Sequence, residues 1–208
     1  MKPIIVINFK TYKQGNDVLN LAKKIEKAFP DAIIAVQASD IYEIKRKSKL
    51  KIYAQHVDYF PAGRDTGYIL PEAIKQDGAE GSFLNHSEHK LSFSVLRKSI
   101  ARCKQVGLKT LVFASSIKQL GKIEKLKPDF LVYEPPELVA GKLSVSEAKP
   151  EIIKKIRKEI KMPFLVGAGI HSRDDVKKAF GLGASGFVVS SAIVLSKNPG
   201  KVLKLLLS

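Results

Sequence analysis

The feature that most constrains this chain is an alternation of short apolar runs with longer amphipathic segments, which continues from one end of the sequence to the other. Short runs rich in Val, Ile and Phe, bounded by turn residues, are typical of buried strands. The predicted strands are PIIVINF (3–9), AIIAV (32–36), KIYAQ (51–55), GSFLN (81–85), KTLVFA (109–114), FLVYE (130–134), PFLVGA (163–168) and GFVVS (186–190).

Each predicted strand is followed by a segment with apolar residues three and four positions apart, which is the spacing of an amphipathic helix. Strands that alternate with helices form a parallel sheet with right-handed crossovers. The pattern therefore predicts an α/β protein, a single parallel (β/α)8 TIM barrel over residues 1–208, in which the helix after the second strand looks short. The predicted helices span residues 16–28, 39–47, 69–77, 91–105, 115–126, 146–160, 172–181 and 198–207.

A doubly wound open sheet is the main alternative architecture. Such a sheet usually has fewer strands and a glycine-rich loop after the first one, where this chain has NFKTYKQG. The last predicted helix, PGKVLKLLLS, has an apolar end but is far shorter than a membrane span. We therefore favour the barrel and expect its last helix to pack on its first.

The chain is strongly basic, with 36 Lys and Arg against 20 Asp and Glu and a formal net charge of +16. Such a charge suits nucleic acid, a membrane surface or small anionic substrates. Most lysines alternate with apolar positions, as on the solvated faces of outer helices, and only KRKSKLK (45–51) forms a dense cluster. We therefore expect no specific nucleic-acid partner.

Targeting and redox features point to the cytoplasm. No apolar run approaches bilayer length, and the first run, PIIVIN, breaks at Lys10 before it could act as a secretory segment. The single cysteine, Cys103, lies at helical spacing from Ile100 and Val106, so we expect it to be packed and to form no disulfide within the chain. These features predict a soluble cytoplasmic protein with no membrane partner.

Polar side chains interrupt the pattern where several predicted strands end. Because the carboxyl ends of barrel strands open onto one mouth, these side chains should surround a single cavity. A lysine, a histidine and a carboxylate would then face one another. The polar residues are Asn8 and Lys10 on the first strand, Gln55 and His56 on the third, Asn85, His86 and Glu88 on the fourth, and Glu134 on the sixth.

The last two predicted strands end in small residues, Gly167-Ala168-Gly169 and Ser190-Ser191, each before a helical pattern. Small residues leave backbone N–H groups accessible at helix starts, and barrels bind phosphate in this way. The four histidines and the cysteine have no paired ligand spacing. We therefore expect a phosphate site, no metal and no cofactor.

These strand ends resemble those of the triosephosphate isomerase family in its short archaeal form, and the match covers essentially the whole chain. The resemblance implies interconversion of D-glyceraldehyde 3-phosphate and dihydroxyacetone phosphate through an enediolate, a step of glycolysis and gluconeogenesis. The matching motifs are NFK (8–10), AQHVD (54–58), GRDTGYIL (63–70), NHSEHK (85–90), YEPPE (133–137), VGAGI (166–170) and GFVVSSA (186–192).

The resemblance also implies a role for each matching residue. Glu134 corresponds to the base, His86 to the electrophile, and Lys10, after Asn8, to the fixed positive charge. Glu88 corresponds to a carboxylate that supports this site. The substrate-binding backbone, including the phosphate cradle, corresponds to the residues Ala140, Gly167, Gly169, Ser190 and Ser191.

Two expectations concern the histidines. A helix that starts at Ser87-Glu88 would lower the pKa of His86 and keep its imidazole neutral. His56 has no catalytic counterpart in the resemblance, and we interpret it as a packed histidine that donates to a backbone carbonyl.

Residues 135–142, PPELVAGK, should form a lid over the reacting groups. This sequence departs from the family here, with Ala140-Gly141-Lys142 where Gly-Thr-Gly is usual, and again at Ser190-Ser191, where many members have paired glycines. A backbone N–H donor survives such a change only where φ stays negative.

By the same resemblance we expect a homodimer, with a tetramer as the alternative. The loop 57–68 would reach into the neighbour and place Thr66 near its Asn8 and Lys10.

Two other functions remain open. A Schiff-base sugar-phosphate aldolase would need a lysine where the sixth strand has Glu134. RNA association through KRKSKLK would weaken steeply with salt and would not depend on Glu134.

Overall fold

The computed structural model describes residues 3–138 and 144–208, and its strands close into one parallel barrel. Each strand pairs with its neighbours in chain order, and the last returns to the first, where Ile4 is in register with Gly186 and Ile7 with Val189. The predicted barrel is confirmed. The strands are β1 (Ile4–Asn8), β2 (Ile33–Val36), β3 (Lys51–Ala54), β4 (Gly81–Leu84), β5 (Lys109–Ala114), β6 (Phe130–Tyr133), β7 (Phe164–Val166) and β8 (Gly186–Val189).

Helices follow the strands in chain order, and the last packs on the first, as the sequence predicted. A 3-10 turn, Pro136–Leu138, follows β6. The helices of the described residues are α1 (Asn16–Ala28), α2 (Ala38–Lys47), α3 (Pro71–Gln76), α4 (Phe93–Gln105), α5 (Ile117–Glu124), α6 (Val145–Ala148), α7 (Pro150–Glu159), α8 (Arg173–Gly181), α9 (Ser191–Val194) and α10 (Pro199–Leu207).

Two apolar clusters hold this architecture together. The larger one fills the space between the strands and the helices. The smaller one fills the barrel interior and includes Val6, Tyr53, Phe83 and Leu111. The Tyr53 ring lies over Gly81, where an added Cβ would come within 2.5 Å of it, so this strand position needs glycine. The interior is therefore a packed core, above which the strand ends open.

Three helix predictions differ from the structure. The segment 146–160 forms two helices, because Pro150 disfavours the helical conformation at Lys149, which has a φ of −139°. The helix after the second strand was expected to be short but has 10 residues. The helix after β3 has only 6, since Pro71 starts it and Gly78, with a φ of 99°, follows its end. The four-residue α9 was not predicted.

Cys103 is packed in α4, as expected from its helical spacing. Burial, with the nearby Asp129 charge, raises the pKa of its thiol to about 12, so the thiol stays protonated near neutral pH. Among residues 3–138 and 144–208, no helix is both long enough and apolar enough to span a bilayer.

The closing seam yields a stability prediction. A Cβ at Gly186 would lie 2.0 Å from the carbonyl oxygen of Ile4, and neither backbone can move without breaking the β1–β8 pairing. Gly186→Ala should therefore lower the free energy of unfolding by about 3 kcal/mol or more, measured by denaturant unfolding. The matched control is Gly121→Ala in α5, where an added Cβ meets nothing within 4 Å, and which should raise stability by roughly 0.5–1 kcal/mol. A Gly186→Ala protein as stable as the control would contradict the packing described at the seam.

Candidate active site

The barrel mouth gathers three of the predicted site residues at the ends of different strands. Asn8 is the last residue of β1, His86 lies two residues beyond β4, and Glu134 directly follows β6. All three side chains belong to buried residues, with exposures of 4%, 7% and 5%. Buried polar groups require partners, so their contacts with one another define the site.

Asn8 links the first and fourth strand ends. Its Oδ1 accepts a hydrogen bond of 2.9 Å from the backbone N–H of Lys10, and its Nδ2 lies 3.5 Å from Nε2 of His86. Lys10 has a φ of 47°, in the left-handed region, and Gln55 Nε2 donates to its carbonyl oxygen at 2.8 Å. Two side chains therefore stabilise a backbone conformation that a lysine rarely adopts.

Lys10 points toward the fourth strand end. Its Nζ lies 2.5 Å from Oε1 of Glu88, and the lysine side chain is 17% exposed while the glutamate side chain is 55% exposed. Glu88 therefore contacts the ammonium group of Lys10 from the solvent side.

The backbone after β4 determines which nitrogen of His86 carries the proton. The backbone N–H of Glu88 donates to Nδ1 at 3.2 Å, so Nδ1 is an acceptor and the neutral imidazole carries its hydrogen on Nε2. Nε2 lies 3.5 Å from Oε2 of Glu134, which can accept its hydrogen, and 3.5 Å from Nδ2 of Asn8, which can only donate and is therefore a contact without a hydrogen bond in this tautomer. The N–H of His86 therefore points toward the same space as the Glu134 carboxylate.

The pKa of His86 is lowered from its ordinary value of 6.5. Burial is the largest cause, and the positive charges of Lys10 and Lys90 act in the same direction, whereas Glu134 and Glu88 oppose it. The predicted helix start at Ser87-Glu88 is wrong. Residues 86–89 form a turn closed by the N–H of His89 bonding to the carbonyl of His86, and α4 begins only at Phe93.

Asn85 fixes the loop that carries His86. It has a φ of 59°, which asparagine tolerates better than most residues. Its Nδ2 donates to the carbonyl of Phe113 at 2.8 Å, and its Oδ1 accepts from the backbone N–H of Leu91 at 3.0 Å. The edge of the Phe113 ring also contacts the imidazole of His86, with centroids 4.7 Å apart. These contacts hold the loop against β5.

Glu134 has two neighbours for which the sequence analysis predicted no positioning role. The Ser87 hydroxyl donates to its Oε2 at 2.8 Å. Gly167 lies directly behind it, and a Cβ added there would come within 2.8 Å of Oε1 and 3.2 Å of Cβ of Glu134. Ser87 sits between two predicted site residues, and that position was the available signal. The packing of Gly167 against Glu134 depends on the pairing of β6 with β7 and had no sequence signal.

The small residues after β7 and β8 form the opposite wall. A cavity of about 60 Å³ is lined by Lys10, His86 and Glu134 on one side and by Gly169, Ser190 and Ser191 on the other. Gly167 is not among the lining residues of this cavity, which include its neighbours Ala168 and Gly169. A wider opening of about 540 Å³ adjoins it and shares Asn8, Lys10 and His86.

Only part of the backbone of this wall has the conformation that an anion site requires. Ser190 has a φ of −134° and Ser191 begins α9, so both serines satisfy the condition of a negative φ. The first turn of α9 presents N–H groups that have no helical partner. Gly167-Ala168-Gly169 does not lead directly into a helix, because α8 begins at Arg173 with Ser172 as its cap.

Comparisons with known proteins bear on this geometry. Residues 3–206 match the family model described as Triosephosphate isomerase. The chain is 42% identical to the triosephosphate isomerase of Saccharolobus solfataricus and 41% identical to that of Sulfurisphaera tokodaii, in each case over 97% of this chain and 93% of the relative. The protein of the same name from Methanobacterium bryantii is 37% identical over 97% of this chain and 94% of its own.

The chain belongs to the triosephosphate isomerase family. Membership makes it an isomerase and leaves the aldolase alternative without support. A crystal structure of triosephosphate isomerase from Bartonella henselae superimposes with a TM-score of 0.80, covering 100% of both chains at 17% identity. At that identity the likeness shows the barrel fold.

His56, which has no catalytic counterpart in the family resemblance, does not bond to the predicted partner. Its Nε2 lies 3.2 Å from Oδ1 of Asp58 and not on a backbone carbonyl, and its ring stacks on that of His89 with centroids 4.2 Å apart. Burial is the largest cause that lowers the pKa of His56. Asp58 also accepts from the backbone N–H of Ile69 at 2.7 Å, so this cluster ties down the end of the loop after β3.

Part of the expected family lid lies outside the described residues. Ala140, Gly141 and Lys142, with the family departure they carry, fall there. The described part begins with the 3-10 turn Pro136–Leu138, and Glu137 on this turn pairs with Lys149. No group of three His, Cys, Asp or Glu residues in the described ranges is arranged to hold a metal ion.

The contact between Gly167 and Glu134 gives a prediction for isomerase activity. Gly167→Ala should push the Glu134 carboxylate from its position and lower kcat by about tenfold to hundredfold, since small misplacements of a reacting group are costly. KM should change much less, and steady-state kinetics at matched folded fraction would separate the two. Gly121→Ala serves again as the control. A kcat equal to that of the control would show that Glu134 does not need this space.

Proposed function

We propose that this chain interconverts D-glyceraldehyde 3-phosphate and dihydroxyacetone phosphate through an enediolate. The observation that carries the proposal is the convergence of a buried carboxylate, a neutral imidazole and an ammonium group on one cavity. These groups belong to Glu134, His86 and Lys10. Family membership gives the reaction class, and this convergence supports the assignment of roles.

Glu134 is the proposed base. Isomerisation needs a proton removed from the carbon beside a carbonyl and returned to the neighbouring carbon, so one carboxylate that spans both carbons serves both directions. Burial at 5% exposure keeps competing water from the carboxylate. The Ser87 hydroxyl holds one oxygen, Oε2, while Oε1 has no hydrogen bond to any residue in the described ranges.

His86 and Lys10 are the proposed partners of the developing oxyanions. Negative charge that forms on the enediolate oxygens is stabilised best by donors fixed before the reaction. The backbone N–H of Glu88 fixes His86 with its Nε2 hydrogen free to donate, and Glu88 Oε1 and Gln55 together hold Lys10. The donor proposed for the enediolate is the Nε2–H of a neutral imidazole, which carries no positive charge that donation would remove.

The phosphate of the substrate would bind at the wall formed by Gly169, Ser190 and Ser191, with Ala140 as the expected fourth position. Support comes from the N–H groups at the start of α9 and from the Ser190 hydroxyl. That hydroxyl is buried and has no hydrogen-bond partner in the described structure. A phosphate oxygen would satisfy it and remove the cost of an unpaired buried group.

The proposal also covers the net charge, the pathway and the cellular location of the protein. A basic chain attracts a doubly charged triose phosphate by electrostatic steering, which gives the charge of +16 a role without nucleic acid. We place the reaction in glycolysis and gluconeogenesis and the enzyme in the cytoplasm, as one domain that needs neither metal nor cofactor.

We also propose a homodimer, with a tetramer as the alternative. In the single chain the loop around Thr66 is exposed, and Tyr68 at its end is 55% exposed. The opening of about 540 Å³ beside Asn8 and Lys10 has room for such a loop from a second copy. Filling it would exclude water from the Lys10 side of the site.

The role of Glu134 is tested by Glu134→Gln, which keeps the shape of the side chain and can still accept from Ser87. The kcat should fall by about 10²- to 10⁴-fold, because an amide cannot take the proton. A coupled assay in both directions measures this. Glu151→Gln on α7, where the carboxylate is exposed and only pairs with Lys154, is the matched control and should retain full activity. Equal activities in the two variants would remove Glu134 from the mechanism.

The lowered pKa of His86 predicts a pH dependence. Protonation would place a hydrogen on Nδ1 and break the bond from the Glu88 N–H, so kcat should fall only as the pH approaches the lowered pKa of His86. The folded state binds this proton less readily than the unfolded chain does. The contribution of His86 to stability is therefore present above about pH 6.5 and is lost as the pH falls toward the lowered pKa.

Two measurements check this dependence. The profile of kcat between about pH 8 and about pH 5 should lose the His86 limb in His86→Gln, and denaturant unfolding should show stability declining over the same acidic range. A variant whose acidic limb matches that of the unmodified protein would assign the limb to another group.

The dimer is tested at Thr66. Light scattering should give the mass of two chains or a multiple of two. Thr66→Arg, which adds bulk and charge at the proposed contact, should shift the protein toward single chains at low concentration and reduce kcat/KM with them. A fully active protein that remains a single chain at all concentrations would contradict the proposed contact.

A further inference from the structure

A lysine-lined groove lies on the outside of the barrel, between α1 and α10. It encloses about 720 Å³ and includes Lys24 and Lys27 from α1 and Lys197, Lys201 and Lys204 from the α10 side. Its lining residues are all different from those of the two cavities at the barrel mouth. The groove is therefore separate from the proposed isomerase site.

These five lysines share one groove and have no acidic partner among the described residues, a lack that several other exposed lysines also show. Within residues 3–138 and 144–208, none of them has a carboxylate within 4.0 Å, whereas Lys45, Lys47, Lys154 and others do. No acidic side chain lines the groove. Glu26 lies nearby on α1, but its Oε1 accepts from the backbone N–H of Lys49.

Five like charges that line one groove repel one another over the screening length, which is about 8–10 Å near physiological salt. An anion bound among them would remove that repulsion and gain attraction from several sides at once. The Ser208 carbonyl oxygen, which also lines the groove, accepts from Arg173 of α8 and so has a partner other than the lysines.

The lining of the groove also has an apolar part, here called its apolar floor. It consists of Ala28, Pro199 and Leu205, of which Leu205 is 56% exposed. Charged sides and an apolar floor together fit a ligand with several negative groups and one flat apolar surface.

We propose that this groove binds a small organic polyphosphate of the nucleoside triphosphate class. Its phosphates would lie among the lysines and its base on the apolar floor. The volume falls within the range of roughly 300–1,000 Å³ that is usual for small-molecule sites. None of the lining residues is aromatic or arginine, the side chains on which bases usually stack, so most of the affinity should come from the phosphates.

The test uses ATP, inorganic tripolyphosphate and adenosine as probes, without added divalent cation, in calorimetric titrations of the full chain. ATP should bind saturably, tripolyphosphate more weakly, and adenosine not measurably. Affinity for ATP should fall between about 50 mM and about 200 mM salt, because the contacts are ionic.

A triple substitution locates the site. Lys24→Gln, Lys201→Gln and Lys204→Gln together should weaken ATP binding by about tenfold or more, since three fixed charges are lost. The matched control replaces Lys118, Lys122 and Lys125, which are exposed lysines on and beside α5 that also lack acidic partners. This control changes the net charge by the same amount and should alter affinity less than twofold.

Three outcomes would overturn the proposal. They are no saturable binding of ATP, equal weakening by the two triple variants, and a single-stranded RNA that displaces ATP and binds more tightly. The first denies the site, the second assigns binding to diffuse charge or to the barrel mouth, and the third assigns the groove to nucleic acid. Because kcat and KM of the groove variant should match those of its control, failure here is distinguishable from failure of the proposed isomerase mechanism.

Discussion

The pairing of β1 with β8 is the interaction on which the rest of this structure depends. Closure removes the free edges of a parallel sheet, and it also brings the first strand end, with Lys10, to the same mouth as the last, with Ser190. The seam allows no side chain at Gly186, because the carbonyl of Ile4 occupies that space. The arrangement of the site therefore depends on backbone packing at the opposite end of those strands. Ile4 and Gly186, which form that packing, do not line the cavity at the mouth.

Much of the fold could be read from the sequence because its signals are local. All eight strands were identified from β-branched runs, although several begin or end a residue or two inside the predicted bounds. Helix ends were predicted less well where proline acts on its neighbour. The break at Lys149 arises from Pro150, and the short helix after β3 is limited by Pro71 and Gly78. Such effects are short-ranged, but apolar periodicity alone does not reveal them.

The candidate site could likewise be predicted only in part from the sequence. Which residues lie at the mouth followed from their places at strand ends, since a parallel barrel brings those ends together. How they are oriented did not follow, because it depends on contacts between residues far apart in the chain. The Ser87 bond to Glu134, the space left by Gly167, and the grip of Gln55 on Lys10 each join different strand ends. The local prediction was wrong at residues 86–89, where a helix start was expected and the backbone forms a tight turn.

The position of Asn8 has a consequence for how this site can change over evolutionary time. One amide contacts both the backbone of Lys10 and the ring of His86, which lie on different strand ends. A substitution at Asn8 would therefore disturb the lysine and the histidine together, and neither could drift independently to compensate. Substitutions at these positions should show strong epistasis. Fewer combinations of residues are therefore allowed at Asn8, Lys10 and His86 than if the three positions varied independently. The outer helices are not subject to this constraint.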